Sequence, residues 1–234
     1  MKNLNLIAAI VTLFGLSTRQ LSAQENKNIM LTNFSEIAVS SGIDVYLTQS
    51  NSENIRVNAP KDVLNNVLIE KQGNALVIKY KDKINLSQFL KGQGTKVYIN
   101  YKTLQSISAS GGSDVYTENT LKTDKLSLSV SGGADLKLNV ITTDIEIHTS
   151  GGSDVDLKGS ATNMGAEASG GSDINALQFI VENARVNTSG GSDVNIYVTK
   201  ALEANASGGS DVHYKGNPAV KKSSGKSGDV NRIN

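Results

Sequence analysis

The sequence predicts an all-β protein, a parallel β-helix with about 19–20 residues per coil in its C-terminal half, on three observations: a recurring corner peptide, period-two apolar alternation around it, and variability at the opposite corner. The corner peptide is Ser-Gly-Gly-Ser-Asp. It occurs at 110–114, 131–135 (with Ala134 as its fourth residue), 150–154, 169–173, 189–193 and 207–211, and successive first serines lie 21, 19, 19, 20 and 18 residues apart. A repeat near 20 residues marks a stacked architecture in which each unit buries its apolar face against its neighbours.

Each copy is flanked by alternating strands. Ile145 and Ile147 precede one copy and Val155 and Leu157 follow it; Leu126, Leu128 and Val130 lead to Leu136 and Leu138; Val194, Ile196 and Val198 close a later unit. One face of each strand is apolar and the other wet. Ala166 and Ala168, and Leu202, Ala204 and Ala206, continue the pattern with smaller side chains, as a core packed against larger neighbours in adjacent coils requires. A β-meander with hairpins at the glycines uses the same local pattern. The coil is favoured because only one turn per repeat has a fixed sequence, whereas the other varies: Thr142-Thr143-Asp144, Lys158-Gly159-Ser160, Thr199-Lys200. A stack makes each corner residue meet its own copy about 4.8 Å above and below.

Residues 30–105 also read as strands: 36–39, 43–47, 55–57, 76–80 and 96–101, with a helical turn after Pro60 and a hairpin turn at Gln72-Gly73-Asn74. They are expected to supply the first coils and a lid over the core, ahead of the repeat coils at 106–216. The basic segment 217–234, with Lys221, Lys222, Lys226 and Arg232, contains a degenerate corner at Ser224–Asp229 and is expected to form a final partial coil that shields the last strand edge.

Residues 1–23 have the layout of a secretory signal peptide: Lys2, an apolar run from Leu4 to Leu16, and a small-residue exit at Ser22-Ala23. The run is too short for the roughly 20 residues of a membrane span. Export through this leader would deliver residues 24–234, a single β-helix domain, to the periplasm, the outer-membrane surface or the medium. Cysteine is absent, so packing and backbone pairing must hold the exported fold without disulfides. Loss of Lys2 and Arg19 would turn the formal charge of +1 into −1, which disfavours nucleic acid as a partner.

The ordered combination of Phe34-Ser35-Glu36-Ile37, Ser41-Gly42-Ile43-Asp44-Val45-Tyr46-Leu47, Gly73-Asn74-Ala75-Leu76-Val77-Ile78, Leu104-Gln105-Ser106-Ile107 and the Ser-Gly-x-x-Asp ladder closely resembles the head GIN domain family of putative auto-transporter adhesins from secreted Bacteroidetes proteins. The resemblance covers about residues 30–216. It implies a right-handed parallel β-helix similar to the pectin-lyase architecture, a proposed adhesive role and no established catalytic residues.

Stacked coils would bring Asp114, Asp135, Asp154, Asp173, Asp193 and Asp211 into one column. The favoured role is that of turn residues whose carboxylates accept backbone N–H or serine hydroxyl donors. The alternative is a calcium ladder, since Ca²⁺ takes six to eight oxygens from carboxylates and carbonyls. A third reading is a carbohydrate-active enzyme, because carboxylates about 4.8 or about 9.6 Å apart lie near glycosidase separations. Catalysis needs carboxylates in different environments, however, and a ladder offers near-identical ones. His148 and His213 are the only histidines and are expected to face solvent; the corner serines lack a recurring base and are expected to be hydrogen-bonders; tryptophan is absent. The expected function is that of a non-catalytic adhesin or binding module presenting repeated polar faces to a glycan or to a cell-surface or matrix protein, with an envelope scaffold, calcium-stabilised or not, as the alternative.

Overall fold

The computed structural model describes residues 24–81, 94–224 and 227–234; the leader read at residues 1–23 lies outside them. Alternation dictates the elements. In chain order they are β1 (Gln24–Ile29), β2 (Glu36–Val39), β3 (Asp44–Gln49), β4 (Asn54–Pro60), the single turn α1 (Lys61–Leu64), β5 (Val67–Gln72), β6 (Ala75–Tyr80), β7 (Lys96–Tyr101), β8 (Ser106–Ser110), β9 (Asp114–Thr117), β10 (Leu121–Ser131), β11 (Asp135–Ser150), β12 (Asp154–Ser169), β13 (Asp173–Thr188), β14 (Asp193–Ala206), β15 (Asp211–Lys215), β16 (Ala219–Ser224) and β17 (Asp229–Arg232). All seventeen strands join one continuous sheet.

The repeat coils stack in parallel, which settles the choice against a meander. Leu126 lies level with Ile145, Leu136 with Val155, Val155 with Ile174, and Ile174 with Val194. Each long strand bends once. In β11 the buried positions are even-numbered from Leu136 to Thr142 and odd-numbered from Ile145 to Thr149, so the phase slips at Thr143-Asp144 and the chain rounds a corner while its pairing continues. Each coil therefore has a first face, following the aspartate, and a second face, preceding the next corner peptide. Every inward residue named from the sequence is buried, including Ala166, Ala168, Ala204 and Ala206.

In the coil of β12, the second corner is not at Lys158-Gly159-Ser160. Thr142 pairs with Ala161 and Asp144 with Asn163, which puts that corner near Thr162. Gly159 is a glycine for another reason: at φ +113, a Cβ there would collide with the Val140 carbonyl of the coil below.

The upstream half departs from a simple first-to-last stack. On the second face β2 is hydrogen-bonded to β6 on one side and β8 on the other, and on the first face β3 lies between β7 and β9. The coil of β2 and β3 thus sits between the pair β6 and β7 on one side and the pair β8 and β9 on the other, out of chain order. β4 pairs antiparallel with β7 and β1 with β4, while β5 pairs antiparallel with β6 through the two-residue turn Gly73-Asn74. These antiparallel strands extend the sheet beyond the parallel coils, and α1 adds Val63 and Leu64 to the same core. Pro60 precedes α1 as its cap residue, one position earlier than the first helical turn. At the other end β16 pairs with β14 and β17 with β15, completing the last coil.

Candidate functional site

The corner peptide shares its first turn residue's conformation in every coil and takes two forms at its second glycine. Its first glycine takes a positive φ throughout, and the second does so at Gly112, Gly133 and Gly152 but not at Gly171, Gly191 or Gly209. At Gly190 (φ +79) a Cβ would sit 2.8 Å from the carbonyl oxygen of Gly170, so coil contact as well as turn conformation excludes a side chain there. The fourth residue points inward. Ser153, Ser172, Ser192 and Ser210 are fully buried, and their hydroxyls donate to the carbonyls of Ser150, Ser169, Ser189 and Ser207 at 2.9, 3.0, 2.9 and 2.7 Å. Each buried hydroxyl thereby closes its own turn, since a buried polar group without a partner costs about 1–3 kcal/mol.

The structure brings all six expected aspartates into one column, with Asp114, Asp135, Asp154, Asp173, Asp193 and Asp211 as successive register partners. It adds three positions. Asp44 falls beside Asp114, Lys96 pairs with Asp44, and Asp229 pairs with Asp211. The rungs interlock through the backbone: the N–H of Asp193 donates to the Asp173 carboxylate (3.2 Å), that of Asp211 to Asp193 (3.1 Å) and that of Asp229 to Asp211 (3.2 Å). Burial, then the carboxylates of Asp114 and Asp154, push the Asp135 carboxyl above its usual range, against the pull of the Asp154 N–H and Lys137. Burial and Asp114 do the same to Asp44, with Lys96 opposing. Among the described residues no three His, Cys, Asp or Glu side chains converge on a common point suited to a metal ion.

Two residues beyond the aspartates runs an outward row that sequence reasoning missed. Tyr98, Tyr46 and Tyr116 stack in register, with centroids 5.0 and 5.2 Å apart and planes within 19° and 18°. Arg56 lies 4.2 Å over Tyr98 and Lys96 lies 5.4 Å from the centre of Tyr46. The Tyr116 hydroxyl donates to Asp114 (3.1 Å), and burial together with that carboxylate pushes it up to about 12. The signal was present as the spacing shared by Asp44-Val45-Tyr46, Lys96-Val97-Tyr98 and Asp114-Val115-Tyr116. Beyond Tyr116 the row continues as Lys137, Asp156, Asn175, Asn195 and His213.

The second face carries ladders and ion pairs. Asn183 donates to Asn163 (3.1 Å), Asn163 to Asp144 (2.9 Å) and Asn205 to Asn187 (2.9 Å). Lys221 meets Glu203 at 3.0 Å, and His148 meets Glu167 at 3.1 Å on the exposed surface. A groove on the second face runs past Glu146, Asn163, Arg185 and Glu203.

Over residues 33–218 the chain matches the profile of the family described as "Putative auto-transporter adhesin, head GIN domain". No curated protein matches it. Among solved structures, a putative adhesin from Bacteroides fragilis superposes with a TM-score of 0.83 at 21% identity, covering 90% of this chain and 97% of that one. A putative adhesin from Parabacteroides distasonis gives a TM-score of 0.73 at 24% identity, covering 91% and 98%. A protein from the same organism described as a putative lipid binding protein gives 0.70 at 19% identity, covering 90% and 97%. At these identities the superpositions establish a common fold.

Proposed function

Given that the chain belongs to the head GIN domain family of putative auto-transporter adhesins, we propose that it is an exported, non-catalytic binding module whose solenoid faces present repeated polar rows to a glycan or a cell-surface or matrix protein. The observation that carries this reading is the lateral self-satisfaction of the outward rows. Aspartates bond to the next aspartate's N–H and asparagines to the next asparagine, so the faces are rigid, flat and repetitive. Many shallow equivalent contacts on a rigid column add by avidity. Hydrolysis of a glycoside would need one carboxylate free to protonate the leaving group and another free to attack or activate water, whereas those of Asp173, Asp193 and Asp211 are each engaged by the N–H of the next rung.

The aspartates fit the turn role, as acceptors for the coil that follows. The calcium ladder is the competing role, and the two differ in what chelation does. Purified exported protein is to be tested on immobilised glycans and extracellular-matrix proteins, in calcium and in EDTA. Selective binding that survives EDTA supports the module with a structural aspartate column, and binding lost in EDTA supports a calcium ladder. Absence of binding under both conditions refutes the adhesive reading and leaves an envelope scaffold.

A further inference from the structure

The tyrosine ladder ends where a groove begins. Tyr116 stacks on Tyr46 through one ring face, so its other face turns along the column toward the coil of β11. That face borders a groove of about 540 Å³, within the ~300–1,000 Å³ range of small-molecule sites. Its floor follows the first-face strands β11 and β12, and its sides carry two rows of polar side chains two residues apart along the strands: Lys137, Asp156 and Asn175, then Asn139, Lys158 and Gln178. The far wall is a bulge in β13, where the register slips between Asn175 and Gln178 against β12 and lifts Leu177 and Gln178 into the groove's lining. Resting on this deeper reading of the proposed binding module, we infer that the groove from Tyr116 to the β13 bulge is a subsite for a short oligosaccharide.

The chemistry is that of a pyranose, which has an apolar C–H face and a rim of hydroxyls. The ring of Tyr116, half-buried and lining the groove next to the in-register Lys137, supplies a platform for the first, and amide, ammonium and carboxylate groups supply donors and acceptors for the second. Rungs about 4.8 Å apart resemble the rise per sugar of an extended glycan, so successive sugars would meet successive coils. The platform is held in place before binding: Tyr116 is clamped by the Tyr46 stack and its bond to Asp114, and the ladder is backed by Arg56 on Tyr98, which keeps the ordering cost of binding low. The second face has larger grooves, but their lining has no tyrosine, phenylalanine or tryptophan, and it includes the Lys221–Glu203 ion pair.

The test titrates the purified exported protein with linear di- to tetrasaccharides of glucose and of N-acetylglucosamine, alongside an oligosaccharide array, following tyrosine ring signals by NMR. Binding should shift the Tyr116 ring resonances. Tyr116→Ala and Lys158→Ala should each weaken it about tenfold or more, whereas Glu203→Ala on the second face should bind like the parent. Lys158 is exposed and outside the ladder, so its variant stays informative if loss of the Tyr116 ring disturbs folding. Oligosaccharide binding that both alanine variants retain would overturn the subsite and leave the binding module standing. Binding to matrix proteins with none to oligosaccharides would do the same. Silence toward every ligand would remove both.

Discussion

Asp135 shows what a stacked residue must reconcile. The N–H of Asp154, which donates to the Ala134 carbonyl (3.3 Å), also draws the Asp135 pKa down, yet the carboxylate lies partly buried between those of Asp114 and Asp154, and the balance raises its pKa. A folded-state pKa above the unfolded one means the folded chain holds more protons near that pKa, so stability rises as pH falls through it from neutrality. Asp44 contributes with the same sign, while Glu203, lowered by Lys221 and Arg185, opposes at lower pH. Asp135→Asn keeps a side-chain oxygen near the Asp154 N–H and removes the repulsion. It should raise the midpoint of thermal unfolding at pH 7 in low salt, by less at pH 4, and added salt should shrink the gain. A lower midpoint at pH 7 would show that the charge itself, through a cation or a donor, holds the column.

At the scale of the element, the coil inserted out of order needs a fastening, and Gln49 at the end of β3 provides it. Its amide nitrogen donates to the carbonyls of Lys102 (3.1 Å) and Lys122 (2.9 Å), its side-chain oxygen accepts from the N–H of Lys122 (2.8 Å), and its backbone exchanges bonds with the Asn119 side chain. One side chain thus ties residues 36–49 to the chain leaving β7 and to the start of β10. Gln49→Ala removes three side-chain bonds and should cost about 1.5–4.5 kcal/mol at roughly 0.5–1.5 kcal/mol per lost bond, seen as a lower denaturation midpoint with native circular dichroism retained. Gln49→Glu should also destabilise, because a carboxylate cannot donate to the two carbonyls.

For the whole molecule, stability follows position in the stack. β11, β12 and β13 are paired on both sides along their length and line a core that runs without a break from Phe34 to Val230. β1, β5 and β17 each pair with a single strand. In a column stabilised by nearest-neighbour interfaces the ends open first. Amide hydrogen exchange should therefore be slowest in β11–β13 and fastest in β1, β5 and β17. Uniform protection along the chain would indicate one all-or-none unit instead.

The coil is legible in the amino-acid order: its length, its inward residues, its aspartate column and the glycines of its corner all follow from relations between residues two apart or one repeat apart, where every copy reinforces the same reading. The second corner of β12 was misplaced because Gly159 serves coil contact, and a lone glycine does not distinguish that from a turn. Which coil lies on which is a matter of long-range contact. A parallel coil of the right width and apolar phase can pair with any other, so nothing local to residues 36–49 places them between β6 and β7 on one side and β8 and β9 on the other. That choice rests on contacts made across the fold, by Gln49 and by the stacked tyrosines. It also brings Tyr98, Tyr46 and Tyr116 together and leaves the last ring facing the groove.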